Sequence, residues 1–125
     1  MGKSDTKIRI LVIDDDAVAC EFLQEALLRA GYEVEPFTSA REALKEDLSR
    51  YDLLLSDIRM PDIDGLEFLR KVHKQWPTLP VILMTAFGSL ETTMEALRLG
   101  AWDYISKPFS PDAIRSLVRK VLDVR

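Results

Sequence analysis

Five side chains stand where they could do chemistry together. Asp14 and Asp15 lie in "ILVIDDD", Asp57 in "LLLSDIRMPDIDG", Thr85 in "ILMTA" and Lys107 in "DYISKPF". Each follows a run that reads as a β-strand, so strands laid side by side would bring all five to one sheet edge. Carboxylates about 4 Å apart repel by about 4 kcal/mol per pair at an effective dielectric near 20, so such a cluster needs a counter-charge. Hard oxygen donors that leave positions for water and phosphate suit Mg²⁺. Lys107 offsets charge from the other side and can meet a phosphoryl oxygen, while Thr85 can donate a hydroxyl hydrogen bond. An acceptor carboxylate, a divalent ion, a cation and a hydroxyl are the parts of a phosphoryl-transfer site, where a carboxylate can be the nucleophile that becomes an acyl phosphate. Asp57 is the candidate acceptor, because it ends an apolar run and faces the crevice. Any one of these residues alone would signify little; five at successive strand ends form a constellation.

The elements that must position them are regular. Five short apolar runs, Ile8 to Ile13, Glu33 to Phe37, Asp52 to Ser56, Pro80 to Met84 and Trp102 to Ser106, each precede a stretch of helical periodicity. The first helix is expected to bury Phe22, Leu23, Ala26, Leu27 and Ala30 and to stop at Gly31. Ser39 and Glu42 form a capping box for the second, with Ala40, Ala43, Leu44 and Leu48 inward. Asp64 caps the third, which carries Leu66, Leu69 and Val72, and Trp76 closes it before Pro77. Ser89 caps the fourth, where Leu90, Met94 and Leu97 line up before Gly100. Ser110 and Pro111 open the fifth, with Ile114, Leu117, Val118, Val121 and Leu122 at helical spacing. Runs one, three and four are nearly continuously apolar, as central parallel strands covered on both faces require, and the more polar runs two and five are expected at the edges. The pattern predicts a doubly wound parallel α/β sheet whose ligands bind beyond the carboxyl ends of the strands.

Composition narrows the partners. The 125 residues suit one domain, with 47% hydrophobic and 30% charged residues. A net charge of −4 and the lack of a basic run argue against direct nucleic-acid binding or an anionic membrane surface. No apolar run is long enough to span a bilayer, so a cytoplasmic location is expected. Residues 1–7 read as a disordered leader, and the domain as 8–123. Cys20, the single cysteine, is expected to pack in the first helix, consistent with a reducing compartment. His73 reads as a half-exposed surface residue; Asp62 and Asp64 read as turn and cap residues rather than ligands.

The four quoted motifs, in this order and spacing, resemble the receiver domain of two-component response regulators over residues 8 to 122. The resemblance implies a three-layer, flavodoxin-like (β/α)5 fold with strand order 2-1-3-4-5. It implies that Asp57 is the phosphoacceptor, that Asp15 binds Mg²⁺ directly with Asp14 acting mainly through water, and that Arg59 offers its backbone carbonyl to the ion. Thr85 and Lys107 would contact the phosphoryl group, a cis Lys107-Pro108 bond would aim the lysine, and Tyr104 would be the aromatic switch that follows Thr85. The implied donor is a phosphohistidine on a sensor histidine kinase. The face of the fourth helix, fifth strand and fifth helix, with Met94, Leu97, Arg98, Trp102, Asp103, Tyr104, Arg115 and Arg119, would meet an output domain or partner and permits a homodimer. "MTAFGSLETTMEALRLGAWDYISKPF" is similar to receivers of NtrC-like, sigma-54-dependent transcription activators, so the expected output is transcription regulation by an excised or stand-alone receiver.

Arg59 and Phe87, two residues past Asp57 and Thr85, occupy positions that in the family tune water access to the acyl phosphate, and so bulky a pair predicts slow autodephosphorylation. The domain is accordingly expected to be a signalling module, catalysing only its own phosphoryl transfer and slow hydrolysis. Two other readings stand beside it. Asp14-x-Asp16-x-Val18 fits the nucleophile motif of haloacid-dehalogenase-type phosphatases, with Asp14 as nucleophile and Asp16 as acid/base, but leaves "SDIRMPDIDG" unexplained and lacks the late acidic pair. A phosphorylation-independent receiver-like interaction module is the third; that class usually loses an acid or the lysine, and both are present here.

Overall fold

The computed structural model describes residues 7–86 and 90–124, apart from the side chains at positions 90 and 91. Its strands are β1 (Arg9–Ile13), β2 (Glu33–Phe37), β3 (Leu53–Asp57), β4 (Val81–Thr85) and β5 (Asp103–Ser106). Between and after them run α1 (Ala17–Leu28), α2 (Ala40–Ala43), α3 (Gly65–Gln75), α4 (Leu90–Arg98) and α5 (Pro111–Val124), with one 3-10 turn at Leu48–Arg50. The strands form one parallel sheet in the order β2-β1-β3-β4-β5, which puts the polar runs at the edges as expected. Residues 1–6 of the expected leader, Phe87 and the expected cap Ser89 lie outside the described residues.

Alternation along each central strand explains the continuous apolar runs. Leu11, Ile13, Leu54 and Leu83 face one way, against Ala40 and Ala43 of α2, Phe68, Leu69 and Val72 of α3 and Ala96 of α4. Ile10, Val12, Leu53, Leu55, Ile82 and Met84 face the other, against Leu23, Ala26 and Leu27 of α1 and Ile114, Val118 and Val121 of α5. A strand covered on both sides has no face left for polar residues, and each apolar side chain so buried contributes about 1.5–3 kcal/mol of transfer free energy.

Four expectations about packing are corrected. Phe22 and Ala30 are exposed: the inward stripe of α1 is Cys20, Leu23, Ala26 and Leu27, and Phe22 lies at its margin, its ring 6.0 Å from that of Phe109. The second helix is a single turn; Leu48 is buried, but from the 3-10 turn, whose Ser49 N–H is capped by the Asp47 carboxylate at 3.2 Å. Met94 and Leu97 of α4 are exposed, and Ala96 is the residue that α4 buries. Asp57 and Thr85 are the last residues of their strands rather than the first beyond them, because the ladder runs on to pair Asp57 with Met84 and Thr85 with Ser106.

The caps behave as the sequence suggests. Ser39 Oγ accepts from the Glu42 N–H at 3.1 Å, Asp64 from Leu66 at 2.7 Å and Ser110 from Ala113 at 3.0 Å. Gly31 and Gly100 hold positive φ of 93° and 109° after α1 and α4, the left-handed stops that favour glycine. Trp76 caps α3 and packs on the core. His73 is exposed at the end of α3, with its ring laid against Gly100.

Candidate functional site

The carboxyl ends of β1, β3, β4 and β5 gather the expected side chains. The pairing of Ile13 with Ser56 places Asp14, the next residue, beside Asp57. Carboxylate oxygens of Asp14, Asp15 and Asp57 all lie within 4.8 Å of one another. Asp15 is exposed, whereas Asp14 is 1% and Asp57 8% exposed. Thr85 is buried at the end of β4, and its carbonyl accepts the Lys107 N–H at 2.7 Å, which holds the lysine's backbone at the edge of the site. The Lys107-Pro108 peptide bond is cis.

Lys107 supplies the counter-charge. Its ammonium Nζ lies 2.7 Å from Asp14 Oδ2 and 3.4 Å from Asp57 Oδ2. Burial alone would lower the lysine's pKa, but the hydrogen bond and charge of Asp14, joined by the charge of Asp57, outweigh it, and the pKa is raised. Asp57 is raised as well: burial disfavours its ionised form and the Asp14 charge adds to this, while Lys107 and the backbone N–H of Arg59 pull the other way. Two buried acids share one cation, so the cluster keeps an excess of negative charge.

That excess, together with the donor set, fits a small hard cation. The three carboxylates offer oxygen only, Asp15 opens to solvent, and the Arg59 peptide borders the cluster beside a groove lined by Asp15, Arg59, Met60, Asp64 and Thr85. Mg²⁺ takes few carboxylates and keeps open positions for water and phosphate oxygens, which this geometry leaves.

The expected surface features are present in part. Tyr104 is 41% exposed on β5, with Trp102, Met94 and Leu97 also exposed nearby on the α4–β5 side. Asp103 and Lys120 face each other at 3.8 Å, linking β5 to α5. On the opposite side a groove of about 630 Å³, lined by Val18, Ala19, Phe22, Pro108 and Phe109, runs up to Asp14 and Lys107. Cys20 is buried under the cluster; its thiol donates to the Asp14 carbonyl at 3.3 Å, and burial, with the Asp14 charge, raises its pKa.

Two residues beside the site were not singled out for it in the sequence. Gly65 packs so tightly against the acceptor strand that a Cβ would stand 2.5 Å from the Asp57 carbonyl oxygen. Asp62 is more than a turn residue: its Oδ2 accepts from Ser39 Oγ at 2.6 Å and from the Arg41 N–H at 2.9 Å, and its Oδ1 from the Ile63 N–H at 2.8 Å. Burial opposes its ionisation, yet these bonds prevail and hold its carboxyl at about 2. The "DG" that follows Asp62-Ile63 was the available signal for Gly65; no local spacing joins position 62 to 39.

An acidic, lysine-bridged cluster at the switch of a parallel sheet with this strand order defines a class of signalling domain. Residues 10–119 match the family described as the response regulator receiver domain, and the chain belongs to that family. It is 42% identical over 116 residues to the transcriptional regulatory protein ZraR of Escherichia coli O157:H7, covering 92% of this chain and 26% of that protein. It is 41% identical over 117 residues to the DNA-binding transcriptional regulator NtrC of Proteus hauseri, covering 93% and 25%. The chain thus spans about a quarter of the length of these curated relatives, which bear out the likeness to NtrC-like receivers. Among solved structures, a CheY-like receiver domain protein from Methanospirillum hungatei superposes with a TM-score of 0.89 at 36% identity, covering 94% of this chain and 95% of that one. The chemotaxis protein CheY4 of Vibrio cholerae gives 0.88 at 31%, covering 93% and 99%. No helix among the described residues is long and apolar enough to cross a membrane.

Proposed function

We propose that this receiver accepts a phosphoryl group on Asp57 from the phosphohistidine of a sensor histidine kinase, and that the resulting state controls transcription through an attached or partner output domain. The observation that carries the reading is the Lys107 ammonium bridging Asp14 at 2.7 Å and Asp57 at 3.4 Å, with Asp15 completing the acidic group. In the transfer, a carboxylate oxygen of Asp57 attacks phosphorus, the phosphorus–nitrogen bond of the donor breaks, and the imidazole leaves with that electron pair. Lys107 neutralises phosphoryl oxygen charge, and Thr85 donates its hydroxyl to the same group. Asp14, Asp15, Asp57 and the Arg59 backbone carbonyl would hold Mg²⁺, which supplies charge neutralisation and a template for the phosphoryl oxygens. The groove along Val18, Phe22 and Phe109 offers the donor protein an apolar approach ending at Asp14 and Lys107.

Movement of Thr85 toward the phosphoryl group would leave room for Tyr104, now exposed, to turn inward and alter the α4–β5–α5 face, where the output domain, or a second receiver in a homodimer, would bind. The bulk of Arg59, two residues past Asp57, would slow hydrolysis of the acyl phosphate. The phosphatase alternative fares poorly. Asp14, 1% exposed, is more deeply buried than Asp57 and already accepts the Asp16 N–H at 3.0 Å, and Asp16 is occupied as the cap of α1 at 3.0 Å from the Val18 N–H.

Incubation with Mg²⁺ and acetyl phosphate, followed by borohydride trapping and peptide mapping, separates the readings. The expected label is on Asp57, persisting for longer than seconds. A label on Asp14 with rapid turnover would establish the phosphatase, and no label the phosphorylation-independent module.

A further inference from the structure

The two limbs of the acidic cluster come from different loops. Asp14 and Asp15 follow β1; Asp57 and the Arg59 peptide belong to β3 and the loop after it. A third segment, the junction running from the end of β2 at Phe37 through the α2 cap Ser39 into the first turn of α2, bonds to both limbs. The Phe37 carbonyl accepts the Asp14 N–H at 3.0 Å and faces the Cys20 thiol at 3.6 Å, which ties the junction to the β1 limb. Two residues on, the Ser39 hydroxyl donates to Asp62 Oδ2 at 2.6 Å, the Arg41 N–H donates to the same oxygen at 2.9 Å, and the Arg41 guanidinium donates to the Asp62 carbonyl at 3.3 Å. Those bonds tie the junction to the β3 limb, three residues past Arg59. The other end of that loop is closed by the Gly65 N–H on the Ile58 carbonyl at 2.7 Å.

The investment exceeds what α2 needs. Ser39 Oγ already caps the Glu42 N–H, and a single turn of helix, Ala40–Ala43, is too short for its own stability to account for a further carboxylate on the Arg41 N–H. A carboxylate that takes one donor from the cap residue Ser39, one from α2 and one from its own loop acts on the loop as well: it fixes where the 58–64 backbone stands relative to β1. Losing a partner bonded directly to a ligand typically weakens metal affinity by about 10–100-fold, and Asp62, which holds the loop rather than a ligand itself, belongs at the low end of that range.

We infer that Asp62, clasped by Ser39 and Arg41, is a positioning residue that braces the Arg59 peptide and Asp57 against Asp14 and Asp15, and so sets the width of the cation site. The inference rests on the function proposed above and adds a bracing role for a residue whose sequence context suggests only a turn.

The test is calorimetric titration of the unphosphorylated domain with Mg²⁺ alone, with folding followed by circular dichroism. Asp62→Asn and Ser39→Ala are expected to stay folded and to bind Mg²⁺ about 10-fold more weakly than wild type, whereas Ser39→Thr, which keeps the hydroxyl, stays within about twofold. Asp47→Ala, which removes a cap of the 3-10 turn away from the cluster, is expected to lower stability and leave Mg²⁺ affinity unchanged. Wild-type affinity in Ser39→Ala would overturn the brace even if Asp62→Asn failed to fold, and equal weakening in Asp47→Ala would reduce it to general stability. Absence of Mg²⁺ binding in the wild type would remove the proposed function itself, a result distinct from normal binding that the variants leave untouched.

Discussion

Gly65→Ala is expected to destabilise the domain by about 3 kcal/mol or more and to cut acetyl-phosphate labelling by at least about tenfold. The added Cβ would stand 2.5 Å from the Asp57 carbonyl oxygen, 2.6 Å from the Ile58 Cα and 2.9 Å from the Ile58 carbonyl oxygen. All three are backbone atoms at the end of a central strand, so no side chain can swing away. Either α3 or the acceptor strand must move, and the acceptor carboxylate moves with the strand. Gly100 offers the contrast: its Cβ would meet the His73 ring at 2.7 Å, which can rotate outward into solvent, leaving mainly the left-handed backbone cost of about 1–2 kcal/mol. Denaturant unfolding and labelling rates of the two variants check this ranking. Wild-type stability and labelling in Gly65→Ala would mean that the close approach does not constrain the site.

Lys107→Met is the second. The substitution keeps most of the side chain's bulk and removes its charge, so among the described residues Asp14, 1% exposed, keeps the Asp16 N–H as its side-chain partner, next to a second carboxylate. Breaking a buried pair on one side costs about 3–5 kcal/mol, a figure to be reduced here because Lys107 itself is 26% exposed, so about 2 kcal/mol is expected without divalent ions. Labelling should fall by about 10²–10³, the usual cost of removing one group that stabilises transferring charge. Mg²⁺ should restore much of the stability, by supplying positive charge to the same oxygens, and little of the labelling, since the contact to the phosphoryl group is still missing. Lys107→Arg should not rescue labelling, because a planar fork cannot take the place of a compact ammonium held between two acids. Labelling near the wild-type rate in Lys107→Met would remove the lysine from the site.

Much of this was legible in the chain. Continuous apolar runs announced the three central strands, and polar ones the edges, because parallel strands inside a three-layer sheet have no wet face. Asp14, Asp57, Thr85 and Lys107 could be placed together since each follows a run that reads as a strand. Helix faces were read less well where the apolar stripe is broad: "AVACEFLQEALL" offers both Phe22 and Leu23, and only the tertiary partner, α5 with its preceding loop, selects Leu23 and leaves Phe22 beside Phe109. On α4 the small residue Ala96 is buried and the larger Met94 and Leu97 are not, which hydrophobicity alone would reverse. The second helix stops after one turn because Asp47 starts a separate 3-10 turn. The clasp of Asp62 on Ser39 was not readable at all, for it joins positions 23 residues apart through a register that only the assembled sheet defines.

The most direct test of the central claim is the thermal stability of wild type and Asp57→Asn measured across a Mg²⁺ series. In the folded state the Asp57 pKa is raised, mainly by burial, so folding binds that proton more tightly and stability falls as pH climbs from the unfolded value through the folded one; above the folded value the ionised carboxylate is a net cost. Without Mg²⁺, Asp57→Asn should therefore melt above wild type. With rising Mg²⁺ the wild-type midpoint should climb and overtake it, since an ion bound only by the folded state stabilises in proportion to the logarithm of its concentration, while the variant responds at least about 10-fold more weakly. Equal Mg²⁺ response in the two proteins, or a wild type already the more stable without the ion, would contradict a cation site built around Asp57.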